Sequence, residues 1–324
     1  MNDPIRELLA RQEVILLDGG LGTELERHSA DLRDPLWSAQ VLLNAPDRIQ
    51  SVHLDFFRAG ADVAITASYQ ATFEGLTARG LTRKESAAVM SSSVTLARRA
   101  RDDFWAEVAA SGERQRPLVA ASVGPYGAYL ADGSEYRGRY GLDVAALMEF
   151  HRPRLEVLAR AGADLLACET LPCPEEAEAL VRCLEDLDEL PAWISFSCGD
   201  DEHVSQGEDF AECVALAASS PQVIAVGLNC TPMDTAHTLL QRAAHATDKP
   251  LLAYPNSNET WDAARHCWRP GGSTAPAPAA DARRLRDAGA KLIGGCCRVT
   301  PEDIRIMRQA LLGPSGAYCV RNHV

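Results

Sequence analysis

The chain has 324 residues, of which 46% are hydrophobic and 24% are charged, a composition that excludes a disordered or fibrous protein. Its 45 Asp and Glu residues outnumber the 32 Lys and Arg residues, which gives a formal net charge of −13 at pH 7. A surface with this charge repels nucleic-acid phosphates and anionic lipid. We therefore expect neither nucleic acid nor a membrane as a partner.

The N-terminal segment contains no apolar stretch followed by a small-residue cleavage site. No part of the chain approaches the run of about 18 apolar residues that a membrane helix requires. These features predict a cytoplasmic protein, and in a reducing compartment an even number of cysteines, here ten, does not imply disulfides. We interpret four cysteines in apolar or periodic segments as small buried residues, namely Cys168, Cys183, Cys198 and Cys213.

Short apolar runs recur along the chain, each ending at or near Gly, Pro, Asn, Asp or Cys. They lie at 14–20, 62–69, 118–125, 164–170, 191–198, 222–230, 250–256 and 291–297. Runs this short and this continuously apolar are typical of parallel strands that are buried on both faces. The sequence therefore predicts eight parallel β-strands.

Amphipathic stretches lie between these runs. Those that predict helices most clearly are 47–59, 83–108, 143–160, 174–188 and 232–246. Three helix-to-strand junctions are nearly identical (RAGAD, RAGAD and DAGAK), with Gly60, Gly162 and Gly289 where a helix commonly ends in a left-handed residue. This alternation predicts a single-domain (β/α)₈ TIM barrel. A doubly wound open sheet is disfavoured, because the turn DGGLGTE lacks the spacing of a dinucleotide-binding loop.

Two long segments follow early strands, at 27–44 and 126–141. In a TIM barrel the loops that follow the strands build the active site. The second segment, YGAYLADGSEYRGRYG, contains four tyrosines in sixteen residues. We interpret it as a lid or substrate-binding loop, with an ordinary surface loop as the alternative.

Three cysteines lie at strand ends. Cys230 ends the sixth run in GLNC, and Cys296 and Cys297 end the eighth in GGCC. Neighbouring residues of a strand point to opposite faces, so the two adjacent cysteines can converge only where the strand has ended. The preceding Gly294 and Gly295 give the backbone that freedom. Three thiolates suit Zn²⁺ with its fourth position open, whereas unrelated core thiols or a vicinal disulfide are the alternatives for the Cys–Cys pair.

Seven motifs occur in order over nearly the whole chain: DGGLGTELE, ASYQATFEG, SVGPYGAYLADGSEYRG, CET, GLNC, YPNS and GGCCRVTP. With them the chain resembles the homocysteine S-methyltransferase family of zinc-containing (β/α)₈ barrels, and in particular its stand-alone members. The resemblance implies a homocysteine-binding barrel over residues 1–312 and a C-terminal tail over 313–324. It also implies transfer of a methyl group from S-methylmethionine, or S-adenosylmethionine, to the zinc-bound thiolate of homocysteine, which yields methionine.

The resemblance also implies roles for single residues. Cys230, Cys296 and Cys297 fall on the zinc-ligating positions of the family. Asp18 with the Gly19–Gly20 turn matches the segment that holds the amino-acid end of homocysteine, and Glu169 matches the acid that pairs with its ammonium group. A turn-capping acid is the alternative for Asp18, and an acid at a helix N-terminus is the alternative for Glu169.

Further contacts are less sharply defined by the motifs. Asn229 is expected to support the metal site through hydrogen bonds, with a turn role as the alternative. Tyr69, Tyr126 and Tyr129 are candidates for holding the sulfonium by cation–π attraction, with core or lid packing as the alternative.

Several alternatives for the activity remain open. Selenocysteine or another thiol could replace homocysteine as the acceptor. A hydrolase that activates water at the same metal would require His or carboxylate ligands, and a zinc-buffering or redox-sensing protein would bind metal without turnover. In each catalytic case the partners are small molecules, and we expect a monomer or a small homo-oligomer.

Overall fold

A computed structural model of the protein describes residues 2–28, 38–187, 190–257, 259–262, 267–270 and 277–313. The strands within these residues, in chain order, are β1 (Ile15–Leu16), β2 (Val63–Ile65), β3 (Leu118–Val123), β4 (Leu165–Leu171), β5 (Ala192–Phe196), β6 (Val223–Pro232), β7 (Leu251–Asn256), β8 (Glu259–Asp262), β9 (Cys267–Pro270) and β10 (Ala290–Ile293). Each of the eight predicted strands is confirmed.

The described α-helices, in chain order, are α1 (Pro4–Leu9), α2 (Leu21–Arg27), α3 (Ser38–Asn44), α4 (Pro46–Ala59), α5 (Phe73–Ala78), α6 (Arg83–Val108), α7 (Tyr126–Leu130), α8 (Val144–Arg160), α9 (Pro174–Glu185), α10 (Phe210–Ala218), α11 (Met233–Ala243), α12 (Pro278–Asp287) and α13 (Pro301–Leu312). Single 3₁₀ turns lie at Ala109–Ser111 and Ser134–Tyr136. All five predicted helices are confirmed, with ends that differ by at most three residues. No helix in the described ranges is long and apolar enough to cross a membrane.

All the strands except β8 and β9 form one parallel sheet of eight strands, in the order β1, β10, β7, β6, β5, β4, β3, β2. A parallel bridge between Leu17 and Val63 joins its two ends, supported by the hydrogen bond from the Asp18 amide to the Val63 carbonyl (3.1 Å). The sheet is therefore closed into a barrel with helices between its strands. The predicted single-domain (β/α)₈ barrel is confirmed, and the doubly wound open sheet was the wrong alternative.

The three repeated junctions end their helices as predicted. Gly60 follows α4, Gly162 follows α8 and Gly289 follows α12, with φ of +122°, +85° and +106°. Such φ values strain a residue with a Cβ atom, which explains why glycine stands at each junction. The turn then directs the chain into the next barrel strand.

The barrel interior is filled by side chains at every second strand position, such as Leu165 and Ala167 of β4 and Trp193 of β5. Ile5 and Leu8 of α1 belong to the same cluster, so α1 closes the end of the barrel where the strands begin. A second and larger apolar layer lies between the strands and the surrounding helices. A functional site is therefore expected at the opposite end of the barrel, where the carboxyl ends of the strands lie.

The two-stranded antiparallel pair β8–β9 follows β7 and was not predicted. The first long insertion is described only as far as Arg27 and His28 and again from α3, so its middle lies outside the described residues. The expected boundary after residue 312 coincides with the end of α13, but residues 314–324 lie outside the described ranges and the tail stays a prediction.

Replacing Ile5 by Ala tests the role of α1 as the closure of the barrel. Ile5 is fully buried, so its truncation leaves a cavity and is expected to lower the free energy of unfolding by about 3 kcal/mol. Equilibrium urea unfolding in reducing buffer measures the change. The exposed Glu7 on the same helix supplies the control, because Glu7→Ala is expected to change stability by less than about 0.5 kcal/mol. Equal stabilities of the two variants would mean that α1 does not seal the barrel.

Candidate active site

Three cysteines meet at the carboxyl ends of β6 and β10. The sulfur atoms of Cys230, Cys296 and Cys297 all lie within 4.8 Å of one another. Cys297 has a free thiol, and its Sγ atom is 4.0 Å from the Sγ atoms of the other two. The predicted convergence of Cys230 with the Cys296–Cys297 pair is therefore borne out by the geometry.

The redox state of the cluster differs from the expectation of three free thiols. Cys230 and Cys296 form a disulfide, with their Cα atoms 5.5 Å apart. The vicinal disulfide considered for Cys296 and Cys297 is wrong, since those two sulfur atoms are not bonded. Thiols held close enough to share one ligand are also close enough to oxidise to a disulfide. Metal binding by all three residues requires the reduced state of this pair.

The turn that carries Cys296 and Cys297 begins after β10 has ended at Ile293, as predicted. Backbone amides fix it on two sides: Gly295 donates to the Asp18 carbonyl (3.1 Å) and Cys296 donates to the Pro255 carbonyl (2.8 Å). The Cys297 amide donates to Oδ1 of Asn256 (3.2 Å). The two cysteines are thus positioned by the ends of β1 and β7.

The two glycine pairs near this turn allow close backbone packing. A Cβ atom on Gly294 would lie 2.8 Å from the Asp18 carbonyl oxygen, and one on Gly20 would lie 2.8 Å from that of Cys296. The Gly20 amide donates to the Val299 carbonyl (2.9 Å), so this amide is already used within the protein. The role expected for Gly19 and Gly20 in holding the substrate carboxylate stays a prediction.

Three residues at the rim have left-handed backbone conformations without being glycine. They are Thr170, Cys230 and Arg298, with φ of +63°, +48° and +68°. Each such residue costs on the order of 1–3 kcal/mol and persists only where the surroundings impose it. One of them is a cysteine of the cluster and another follows Cys297, so strained backbone conformations set the directions of these side chains.

Glu169 and Asp18 lie inside the mouth of the barrel, both nearly inaccessible to solvent. Glu169 continues the inward series of β4, two residues after Ala167, and its carboxylate accepts hydrogen bonds from the hydroxyls of Ser122 and Tyr254. Burial raises the pKa of Glu169 to about 7, against the opposing effect of those hydrogen bonds. A cation that binds beside this carboxyl group will favour its ionised form.

Asp18 has one satisfied and one unsatisfied oxygen. Oδ2 accepts from the Ile65 amide (2.8 Å), whereas Oδ1 is buried without a hydrogen-bond partner. Burial raises the pKa of Asp18 well above its ordinary value, and the charge of Glu169 adds to the rise. Two coupled buried acids with an unused oxygen form a subsite suited to a cationic ligand.

A buried polar network lies beneath the site. The Tyr254 hydroxyl is within 2.7 Å of Ser195 Oγ, which donates to Asn229 Oδ1 (2.8 Å). Asn229 also accepts from the Thr170 amide (2.8 Å) and donates to Thr170 Oγ1 (2.7 Å). Asn229 therefore links the ends of β4, β5 and β6 immediately before Cys230, and its direct contact with metal or substrate stays a prediction.

Sequence reasoning missed Ser122, Ser195 and Tyr254, although a signal was available. Each lies two residues after an inward-facing position of its strand: Ala120, Trp193 and Leu252. Extending the inward series of each strand to its carboxyl end identifies the positions where a TIM barrel places functional groups.

The predicted tyrosines separate into two places. Tyr126 and Tyr129 pack with Phe150, at ring-centroid distances of 4.9 and 5.7 Å, in an aromatic cluster that also includes Tyr140. Burial raises the pKa of Tyr69 well above its ordinary value, and the charges of Glu135 and Glu169 are among the further causes. The lid-packing alternative thus describes Tyr126 and Tyr129 in this structure, and their contact with a donor stays a prediction.

Tyr136, which the sequence did not single out, belongs to the cysteine end of the site. Burial raises the pKa of Tyr136, and the next largest cause is the charge of Cys297. The tyrosine-rich segment folds as α7 and the 3₁₀ turn at Ser134–Tyr136, and Ser197 after β5 donates a hydrogen bond to this turn. Its role as a lid or substrate-binding loop stays a prediction.

The chemistry of the cluster fits a soft divalent cation. Burial, together with the charges of Glu169, Glu135 and Glu26, raises the pKa of the Cys297 thiol to about 12. Such a thiol ionises at neutral pH only beside a strong positive charge, which a divalent metal supplies. Within the described ranges the cluster contains cysteines alone, a donor set that favours Zn²⁺ over oxygen-preferring metals.

The fold and the three-cysteine site define a (β/α)₈ barrel with a cysteine cluster at its mouth that could hold a metal ion. Residues 15–311 match the family model described as homocysteine S-methyltransferase. The chain is 50% identical to homocysteine S-methyltransferase of Escherichia coli, with 95% of this chain and 98% of that protein covered. It is 48% identical to homocysteine S-methyltransferase YbgG of Bacillus subtilis, with 94% and 96% covered. The chain belongs to the homocysteine S-methyltransferase family.

Solved structures show the same likeness. The E. coli homocysteine methyltransferase MmuM in its metallated form aligns with a TM-score of 0.85 and 48% identity, over 94% of this chain and 99% of that chain. The oxidized form of that protein also gives a TM-score of 0.85, over 95% and 99%. The resemblance stated from the sequence motifs is thereby confirmed.

Replacing Gly20 by Ala tests the close packing behind the cysteines. The φ of Gly20 is −69°, which alanine adopts freely, so the added methyl group acts through its contacts with the turn: the Cys296 carbonyl oxygen (2.8 Å), the Arg298 amide nitrogen (3.2 Å) and Thr23 Oγ1 (2.9 Å), which accepts from that amide. Displacement of the turn is expected to weaken the binding of Co²⁺, used as a spectroscopic probe of thiolate ligation, by about tenfold. Titration in reducing buffer, followed by thiolate-to-metal charge-transfer absorption, measures the affinity.

Gly199 supplies the matched control for this variant. A Cβ atom there would have no neighbour closer than 3.8 Å, so Gly199→Ala is expected to bind Co²⁺ like the unmodified protein. Equal affinities of the Gly20→Ala and Gly199→Ala proteins would show that the turn does not position the thiols.

Proposed function

We propose that the protein transfers a methyl group from a cationic sulfonium donor to homocysteine, forming methionine. S-methylmethionine is the donor that we favour, with S-adenosylmethionine as the second. Cys230, Cys296 and Cys297 would hold a zinc ion in their reduced state, and the observation that carries the proposal is their convergence within 4.8 Å. The need for reduced thiols is consistent with the expected reducing cytoplasm.

Zinc, when bound, supplies the positive charge that allows the homocysteine thiol to lose its proton at neutral pH. The residues of the chain supply the surroundings. Cys296 and Cys297 lie partly buried at the mouth of the barrel, and Glu169 and Tyr254 lie on the interior side. A site with little water strengthens every electrostatic contact within it.

The acceptor subsite is formed by Asp18 and Glu169. The unpartnered Oδ1 of Asp18 and the carboxyl group of Glu169 can together receive the ammonium group of homocysteine. Ser122 and Tyr254 hold the Glu169 carboxyl group in position through their hydroxyls. The substrate amine would thus be bound in the barrel interior while its thiol reaches the cysteine rim.

The transfer step conserves both atoms and charge. The homocysteine sulfur, having released its proton, forms a bond to the methyl carbon of the donor while the bond from that carbon to the sulfonium sulfur breaks. The electron pair of the broken bond stays on the donor sulfur. With S-methylmethionine both products are methionine, so a thiolate and a cation become two neutral thioethers.

Two other functions are less well supported. A hydrolase that activates water would use His or carboxylate ligands, whereas the described cluster consists only of cysteines. A zinc-buffering or redox-sensing protein has no need for the buried pair Asp18 and Glu169 with an unsatisfied oxygen. The acidic pair therefore favours a catalytic site that binds an amino acid.

The activity is tested with a panel of donors and acceptors. The purified, reduced protein is expected to hold about one zinc per chain and to form methionine from homocysteine and S-methylmethionine. Cys230→Ser, Cys296→Ser and Cys297→Ser should each lose both metal and turnover, whereas Cys213→Ser, at a buried cysteine of α10, should keep both. Elemental analysis and methionine quantification provide the readouts, with S-adenosylmethionine and selenocysteine as the alternative donor and acceptor. A metal-free Cys296→Ser protein with full activity would contradict the proposal.

The acceptor subsite gives a pH-dependent prediction. Glu169 attracts an ammonium group only when it is ionised, and burial raises its pKa to about 7. At pH 8 the Glu169→Gln variant is therefore expected to have a homocysteine KM about tenfold above that of the unmodified protein. The ratio of the two KM values should fall toward one at pH 6, because the native carboxyl group is then mostly protonated.

Steady-state kinetics at saturating donor measure this ratio, and zinc content should be the same in both proteins. Glu149→Gln, at an exposed position of α8, serves as the control at each pH. A ratio that stays constant between pH 6 and pH 8, or a loss of zinc from the variant, would show that Glu169 does not bind the amine.

A further inference from the structure

The 3₁₀ turn at Ser134–Tyr136 is docked onto the mouth of the barrel. The hydroxyl of Ser197, which follows β5, donates to the Glu135 carbonyl (2.8 Å), and Arg139 donates through its amide to Gln206 Oε1 (2.7 Å). Gly127 of α7 lies against the turn so closely that a Cβ atom would be 2.4 Å from the Glu135 amide nitrogen. The backbone of Glu135 is therefore held in one place relative to the strands.

The side chain of Glu135 has an unused hydrogen-bonding atom. Its Oε2 atom is buried and has no hydrogen-bond partner. The neighbouring cation Arg137 donates to the Asp132 carbonyl (3.1 Å) and has 59% of its side chain exposed, so its charge is directed to solvent. Burial raises the pKa of Glu135 to about 7, and Asp132 adds to the rise while Arg137 opposes it. A bound cation would favour the ionised form of this carboxyl group and supply the partner that its buried oxygen lacks.

Glu135 lies in electrostatic range of the groups that surround the reacting sulfur. Its charge contributes to the raised pKa of the Cys297 thiol and to that of Tyr69, after burial as the main cause in both. Tyr136, the next residue, is coupled to Cys297 in the same way. Glu135 thus belongs to the loop that is docked at the mouth through Ser197, whereas Asp18 and Glu169 lie in the barrel below.

We propose that Glu135 is the residue that recognises the positive sulfonium of the methyl donor, with the faces of Tyr69 and Tyr136 beside it. This inference rests on the proposed function. Homocysteine brings an ammonium group and the donor brings a sulfonium besides its own ammonium group, and the structure offers an acidic group on the loop that is separate from the pair in the barrel. In an in-line transfer the sulfonium lies next to the acceptor sulfur at the mouth of the barrel, so the unpartnered acid that the docked 3₁₀ turn holds at this mouth is matched to it.

The reaction itself dictates how such a contact affects the rate. The sulfonium loses its charge as the methyl group leaves, so its attraction to Glu135 is stronger in the bound donor than in the transition state. Removing the carboxylate should therefore weaken donor binding without slowing the transfer step. A residue that only shaped the loop would instead lower kcat.

The experiment compares Glu135→Gln with the unmodified zinc-loaded protein. The KM for S-methylmethionine is expected to rise by about tenfold, while kcat stays equal or increases. The homocysteine KM and the zinc content should not change. Glu135→Asp, which keeps the charge on a shorter side chain, should restore part of the donor affinity, and Glu149→Gln should match the unmodified protein.

A competitor without the sulfonium charge tests whether Glu135 recognises charge or shape. This competitor is an isostere of S-methylmethionine that carries carbon in place of the sulfonium sulfur and keeps the ammonium and carboxylate groups. Its inhibition constant should change less than twofold in Glu135→Gln, while the donor KM rises. Equal weakening of both molecules, or a fall in kcat with unchanged donor KM, would overturn the inference. If the unmodified protein forms no methionine from any sulfonium donor, the proposed function fails instead.

Discussion

The mouth of this barrel is dominated by acidic groups that are shielded from water. Three cysteines, Asp18 and Glu169 lie together at the ends of the strands, and Glu135 approaches from the loop above. Hydroxyls and a backbone amide, rather than cationic side chains, supply the hydrogen bonds to Asp18 and Glu169. The pKa values of Asp18, Glu169, Glu135 and Cys297 are all raised by burial. Bound cations would favour the ionised forms of these groups, and the metal ion, ammonium group and sulfonium that we propose are chemically matched to the three acidic places.

The backbone enforces this arrangement at a cost in local conformation. Gly20 and Gly294 let the β1 turn and the cysteine turn approach until a Cβ atom would meet a carbonyl oxygen at 2.8 Å. Thr170 and Cys230 occupy the left-handed region near the carboxyl ends of β4 and β6. The hydrogen-bonded network from Tyr254 to Asn229 connects the same strand ends. Because each constraint acts on the backbone beside a functional side chain, small changes there should reach the site even though they touch no substrate.

Sequence reasoning reached the barrel and the three cysteines because both produce strong local signals. A buried parallel strand is a bounded apolar run, and the Gly of each RAGAD or DAGAK junction has the positive φ that its position predicts. The convergence of Cys230 with Cys296 and Cys297 followed from the barrel, since strand ends share one rim. Those steps required no knowledge of side-chain contacts.

Other features depend on contacts that no periodicity reports. Tyr136 rather than Tyr126 is electrostatically coupled to Cys297, and Ala131 and Gly133, with φ of +54° and +83°, lie in the left-handed region between the two tyrosines. The pairing of Cys230 with Cys296 depends on the distance between two turns, and the β8–β9 pair has no apolar run to mark it. Tyr254 could have been predicted from the sequence, because it continues the inward-facing positions of β7.

The division between barrel and loop has a consequence for specificity. The acceptor recognition that we propose for Asp18 and Glu169 is built on strand ends, where any shift would also move the cysteines. The donor recognition that we propose for Glu135 is built on a 3₁₀ turn attached to the barrel through Ser197 and Gln206. Loops change more readily than strands, so the choice of sulfonium can change while the acceptor chemistry stays the same.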